Sequence, residues 1–145
     1  MSDTRGFTLV EILVVLAILG ITAAAVVPAL ARATSEDGAT RTARALEHVL
    51  MTARNTALER AQAVDLTLVT EAGRWRVRLR DGTALDSGTI DLDDGSRIQG
   101  SAPRSTFRFA PNGSVDGDSL LVLGPGGARA LIVDRWSGGI RVAPR

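Results

Sequence analysis

Few residues in this chain have the type and spacing to do chemistry. In Arg5-Gly6-Phe7-Thr8-Leu9-Val10-Glu11, a lone carboxylate, Glu11, stands at the head of a long apolar run. A charge in such a run costs about 3 kcal/mol in an apolar surrounding, so Glu11 calls for a cationic partner. Arg74, Arg76, Arg78 and Arg80 alternate with Trp75, Val77 and Leu79. On a strand that spacing puts four guanidinium groups on one face, where they could track phosphates. The bland reading is a solvated face opposed by Asp86, Asp91, Asp93 and Asp94 on neighbouring strands, and it is preferred because aromatic stacking partners are scarce. Asp116 and Asp118 offer two carboxylates, short of the six to eight oxygens a calcium ion takes, and are read as an acidic turn. The chain has no Cys and one His, His48, read as a surface or boundary residue. That composition excludes disulfides, Cys-ligated zinc and thiol catalysis. No nucleophile–base pair or metal cluster is visible, so the expectation is a protein without catalysis, metal or cofactor.

The elements that must position these residues follow from length and pattern. A chain of 145 residues holds one ordinary domain and an appendage. With 45% apolar residues, 3% aromatics and a net charge of +1, it is neither a disordered acidic tail nor a polycation. From Phe7 to Ala31, 20 of 25 residues are apolar, the exceptions being Thr8, Glu11, Gly20, Thr22 and Pro28. Ile12 to Ala31 carries no charge, and its 20 residues as a helix match the ~30 Å of a bilayer core. A secretory signal cut at Ala29-Leu30-Ala31 is the first alternative, but the run exceeds the usual ~7–15 residues and Glu11 is misplaced in it. A buried core helix is the second, and a domain this small could not cover it on all sides. A plain single-pass anchor is the third, and it leaves Glu11 unexplained. Pro28 is read as a tolerated kink rather than a terminus. Arg5 and the N-terminal amine precede the run, which weakly favours a cytoplasmic leader.

Beyond the apolar run, Ala39, Ala43, Leu46, Leu50, Ala53, Ala57 and Ala61 recur at steps of three and four. They predict an amphipathic helix with a stripe of small residues, able to approach a sheet closely. Ser35-Glu36-Asp37-Gly38 either caps a separate helix or breaks one long helix locally. From Val64 the period changes to two. Strands are expected at Val64–Leu68, Arg74–Arg80, Thr89–Leu92, Thr106–Phe109, Leu120–Leu123, Ala130–Asp134 and Ile140–Val142. Turn signals separate them at Asp81-Gly82, Asp94-Gly95, Pro111-Asn112-Gly113, Gly124-Pro125-Gly126-Gly127 and Ser137-Gly138-Gly139.

The N-terminal stretch resembles that of type IV prepilins and type II secretion pseudopilins: a short polar leader ending in Gly6, then Phe7, then Glu11 as fifth residue of the mature chain, then a long apolar helix. The resemblance implies that a prepilin peptidase cuts between Gly6 and Phe7 and N-methylates Phe7. It implies that Glu11 meets the terminal amine of a neighbouring subunit and sets register during assembly. Phe7-to-Glu11 pairing within one chain is also geometrically open, since the two lie about one helical turn apart. Phe107-Arg108-Phe109-Ala110-Pro111-Asn112-Gly113-Ser114 and the closing Gly139-Ile140-Arg141-Val142 are similar to elements of the GspH/FimT group. The implied fold is α+β and pilin-like: a long N-terminal helix, membrane-spanning in its first half, packed on a C-terminal antiparallel sheet domain.

The implied organisation is a leader at 1–6, a transmembrane and filament-core helix at 7–31, a periplasmic half of the helix at 32–62 and a sheet domain at 63–145. The implied function is that of a minor pseudopilin of the type II secretion system, near the tip of a periplasmic pseudopilus that drives export of folded proteins. The alternative is a FimT-like minor type IV pilin for pilus initiation or DNA uptake. FimT-type proteins tied to DNA uptake end in Gly-Arg-x-Arg, whereas Gly138-Gly139-Ile140-Arg141-Val142 lacks the first Arg, which favours secretion. The implied partners are prepilin peptidase, other minor and major pseudopilins, inner-membrane lipid before assembly, and secreted proteins. Nucleic acid is the disfavoured partner. The implied location is the inner membrane in a single pass, with the C-terminal domain periplasmic, and then the pseudopilus.

Overall fold

The computed structural model describes residues 9–34, 37–92 and 95–145, with side chains described outside 27–34. The chain divides into two compact units, Met1–Ser35 and Glu36–Arg145. In the first, helix α1 spans Leu9–Thr34. At 1.5 Å per residue its 26 residues extend ~39 Å. Its Leu9–Val26 window has the length and composition to cross a membrane, and none of it is buried.

The second unit opens with helix α2, Gly38–Arg60. Of the two readings of the Ser35-Glu36-Asp37-Gly38 cluster, a cap on a separate helix or a local break in one long helix, the backbone at Asp37 matches the cap: Asp37 is extended (φ −66°, ψ 152°) and its carboxylate accepts from the Thr40 N–H at 2.6 Å. Such a cap satisfies one of the orphan donors at a helix start. Six of the seven stripe residues, Ala39 through Ala57, are buried on one face of α2. Ala61 departs from the stripe because it ends the helix in the left-handed region (φ 50°). The Gln62 N–H then reaches the Ala57 carbonyl at 3.2 Å, closing the last turn.

Among the described residues nine strands follow: β1 Val64–Val69, β2 Arg74–Leu79, β3 Ala84–Thr89, β4 Arg97–Gln99, β5 Arg104–Phe109, β6 Val115–Asp116, β7 Leu120–Gly124, β8 Gly127–Val133 and β9 Ile140–Pro144. They form two antiparallel sheets, not one. The first has order β3-β2-β1-β5-β6 and the second β4-β7-β8-β9. Both place strands against α2. Leu66 of β1 stands between Val77 and Phe107 in register, and Val64 between Leu79 and Phe109. Phe107, Phe109, Leu46 and Leu50 are among the largest fully buried side chains. The Ala stripe therefore lets the helix backbone approach while the bulk comes from the sheets and two leucines. A third strand was expected at Thr89–Leu92. Strand β3 lies earlier because pairing with β2, from Arg74↔Thr89 to Arg78↔Ala84, selects Ala84–Thr89 despite its weak pattern.

Candidate functional site

Glu11 lies in the first turn of α1 and is exposed. A carboxylate there is favoured by the partial positive charge of a helix N-terminus. Around it Leu9, Leu13 and Ile21 are also exposed, at 79%, 61% and 74%. An uncovered apolar cylinder with one acid at its head is stable only in lipid or among other helices. Gly6 and Phe7 lie outside the described residues. The helix runs on through Pro28 to Thr34, so Pro28 is not a terminus.

The Phe107–Ser114 element forms strand β5 and a tight turn. The Ala110 N–H donates to the Ser114 carbonyl and the Gly113 N–H to the Ala110 carbonyl, both at 2.9 Å. Gly113 is buried with φ +84°, a conformation L side chains avoid. The β8–β9 turn packs directly on it. Arg54 of α2 ties the two together, donating from Nε to the Gly113 carbonyl and from Nη2 to the Ser137 carbonyl, each at 3.0 Å. The motif thus works as a clamp between helix and both turns, with no reactive group in it. Beside it Trp136 is 93% exposed on a turn whose backbone N–H groups donate to the Asp134 carboxylate. Neither Arg54 nor Trp136 was marked by periodicity, since each acts through long-range placement.

The Arg row lies on the outward face of the first sheet, as expected, but its surroundings differ from expectation. Asp86 pairs with Val77, the inward-facing neighbour of the row, so it cannot oppose the arginines. Asp91 follows the end of β3, and Asp93 and Asp94 lie outside the described residues. Reading across the sheet, Arg78, Asp65, Arg108 and Asp116 form one line. The next line is Arg76, Thr67 and Thr106, and the third is Arg74, Val69 and Arg104. Asp65 binds Arg108 in a two-pronged pair at 2.7 and 3.1 Å, which raises the Arg108 pKa. Arg104 and Arg108 thus join the row. Their period-two spacing within Arg104–Phe109 was a signal for it, but the strand order was needed to read it.

Asp118 accepts from the Ser101 hydroxyl at 2.8 Å and sits 3.6 Å from Arg135. Among the described residues no group of three His, Asp or Glu side chains is arranged to hold a metal. His48 is exposed on α2 and lines a groove with Val49, Trp75, Leu85 and Asp86.

Asp37, Asp81 and Asp134 are all held below the ordinary carboxylate value of 3.8. Thr40 is the main cause at Asp37, followed by the Arg129 and Arg41 charges; Arg129 Nη2 stands 2.7 Å from Asp37 Oδ2. The Thr83 N–H acts on Asp81 and the Ser137 N–H on Asp134. A lowered folded pKa gives stability that is present above the unfolded value and lost as pH falls through the folded one. The urea midpoint should therefore hold near neutrality and fall once pH drops below 3.8, and Asp37→Asn should flatten that acid limb. A midpoint unmoved by acidification below 3.8 would contradict this.

Comparison with known proteins gives the same picture at both ends of the chain. Residues 1–27 match the prokaryotic N-terminal methylation motif. Residues 42–138 match the family described as type II transport protein GspH. The sequence finds no match among curated proteins. Among solved structures, the type IV minor pilin FimU of Pseudomonas aeruginosa is similar, with 16% identity and a TM-score of 0.59 over 71% of this chain and 86% of that one. The minor pseudopilin EpsH from the type 2 secretion system of Vibrio cholerae is similar too, with 14% identity and a TM-score of 0.57 over 74% of this chain and 98% of that one. At such identity these likenesses concern the fold, which is pilin-like. With its GspH region covering well over half of its length and the methylation motif at its head, the chain belongs to the GspH family of structural, pilin-like proteins.

Proposed function

We propose that this chain is a minor pseudopilin of the type II secretion system, without catalytic activity of its own. The observation that carries the reading is the pairing, in one chain, of the methylation motif and the GspH region with an uncovered apolar helix. In this reading residues 1–6 are a leader, 7–31 anchor the precursor in the inner membrane and later enter the filament core, and the remainder lies in the periplasm. Prepilin peptidase cuts after Gly6 and methylates the new Phe7 amine. Glu11 receives a neighbour's terminal amine, and Pro28 bends the helix. The mature protein joins other pseudopilins near the tip and helps push folded proteins outward.

The second reading, a minor type IV pilin, is favoured by the likeness to FimU. Deletion of the coding sequence separates the two. Loss of exoprotein secretion with intact pili supports the first, and loss of pili with intact secretion supports the second. Gly6→Val should block maturation in either case, because the cut needs a small residue at that position. The precursor would then persist on a gel beside a co-expressed prepilin peptidase. An unchanged shift to the mature size would refute the assigned cut.

A further inference from the structure

We propose that the outward face of the second sheet, β4-β7-β8-β9, docks an amphipathic helix with acidic flanks, carried by a different protein. The proposal rests on this sheet alone and is independent of which filament the protein joins. Helix α2 packs on the opposite face, where Ile98, Leu120, Val122, Leu131 and Ile140 are buried. The residues that alternate with these point outward. Across the sheet one line reads Gln99, Leu121, Ala130 and Ala143, the next Arg97, Leu123 and Ala128, and a third Ile132 and Arg141. Leu121, Leu123, Ile132 and the three alanines are half-buried. An antiparallel sheet with one covered face normally turns polar residues to water, as the first sheet does with its arginines and threonines. Here the outward face is apolar across its middle, and a continuous apolar face marks an interaction surface.

Shape and charge select the occupant. Leu121 and Leu123 form a ridge along β7, and Ala128, Ala130 and Ala143 leave a low floor over β8 and β9. From β7 to β9 the strands span about 10 Å, the diameter of a helix. A helix laid along that floor covers Ala130 and packs its apolar stripe against the leucine ridge. An extended segment would instead add to the β4 or β9 edge and leave the middle of the face uncovered. A flat lipid surface would leave the alanine floor unfilled. Arg97 and Arg141 stand exposed on the two edge strands, and none of the residues in the three lines is acidic. The same charges disfavour a second copy. Face to face about a twofold axis it sets arginines against arginines, and the first sheet turns further arginines outward. Acidic residues beside the apolar stripe of an incoming helix meet the cations at both margins.

The test uses the full chain in nanodiscs of neutral phospholipid and a displayed library of random peptides. Selection against the parent, after depletion on Ala130→Glu, is expected to enrich peptides with apolar residues at helical spacing and Asp or Glu beside them. Synthetic copies of these peptides become helical on binding. Their affinity, read by fluorescence anisotropy, falls about tenfold for Arg97→Glu/Arg141→Glu, and changing their acids to Lys restores it. The circular dichroism of both variants stays that of the parent, because each substituted side chain points to solvent. Failure to enrich any peptide that Ala130→Glu rejects overturns the proposal. Enriched peptides with strictly alternating apolar residues assign a strand partner and overturn it, as does binding indifferent to the charge swap. The chain has no Cys, so a polarity-sensitive dye on Ala143→Cys reports this face alone. A blue shift of that dye in anionic discs without peptide assigns the face to a membrane. Pairing of single-chain discs that Ala130→Glu abolishes assigns it to a second copy. Either result also overturns the proposal.

Discussion

Glu11→Ala is expected to be cleaved at the parental rate and then to enter filaments at about a hundredth of the parental level. Cleavage is read from the residues around Gly6 and Phe7, which the substitution leaves in place. In the proposed role, assembly would move α1 out of lipid and among other apolar helices, where water is scarce. There the Phe7 amine and the Glu11 carboxylate are each costly alone and strongly attractive together. Removing one partner of such a pair typically costs about 3–5 kcal/mol, because the other charge is left buried. That corresponds to more than a hundredfold in association. Glu11→Gln keeps the shape and loses the charge, so it should fail nearly as badly. The amount of cleaved protein in sheared or purified filaments measures the effect. Parental incorporation of Glu11→Ala would refute the role given to the carboxylate.

Gly138→Ala is expected to be the most damaging single methyl addition in the globular unit. Gly138 has φ +64°, where an L residue costs about 1–2 kcal/mol. A Cβ there would also collide with the Gly113 carbonyl and come against Arg54 Nε. Neither can give way cheaply, since Gly113 is itself at φ +84° and Arg54 holds both turns. Buried donors or acceptors left without partners add about 1–3 kcal/mol each. The total, about 3 kcal/mol or more, is a large share of the ~5–15 kcal/mol that stabilises a domain. Urea unfolding followed by the fluorescence of Trp75 and Trp136 should show a clear loss of midpoint. A midpoint equal to that of the parent would mean that the two turns separate without cost.

The parts of the fold legible in sequence were those governed by local periodicity. The Ala39–Ala57 stripe recorded which face of α2 is buried, and β1, β2 and β5 showed their alternation. What sequence left open was set by long-range partners. Strand β3 has little pattern of its own and is selected by pairing with β2, with Gly88 leaving room for the Trp75 ring. Strands β4 and β6, of three and two residues, are too short for a period to register. The division into two sheets depends on β7 pairing with β4 and β8 rather than with β5. The separate start of α2 rests on the extended backbone of Asp37, within a cluster for which sequence alone left two readings.

The candidate sites divide along the same line. The processing motif is a contiguous chemical signature, a small residue, an aromatic and a carboxylate in fixed order, so it needed no fold to be seen. The Arg row was visible as a strand face, but its opposition was not. Which acids face it depends on cross-strand register, and register turns Asp86 to the Val77 side and brings Asp65 and Asp116 to the other.

The central claim, that this chain is a precursor matured into a pilin-like filament subunit, is tested most directly at its N-terminus. The full chain would be co-expressed with prepilin peptidase and its intact mass and N-terminal fragment ions measured. The account predicts a mature protein beginning at Phe7, with one added methyl group on the Phe7 amine and Glu11 as its fifth residue. A chain that still begins at Met1, or one cut after Ala31, would contradict it.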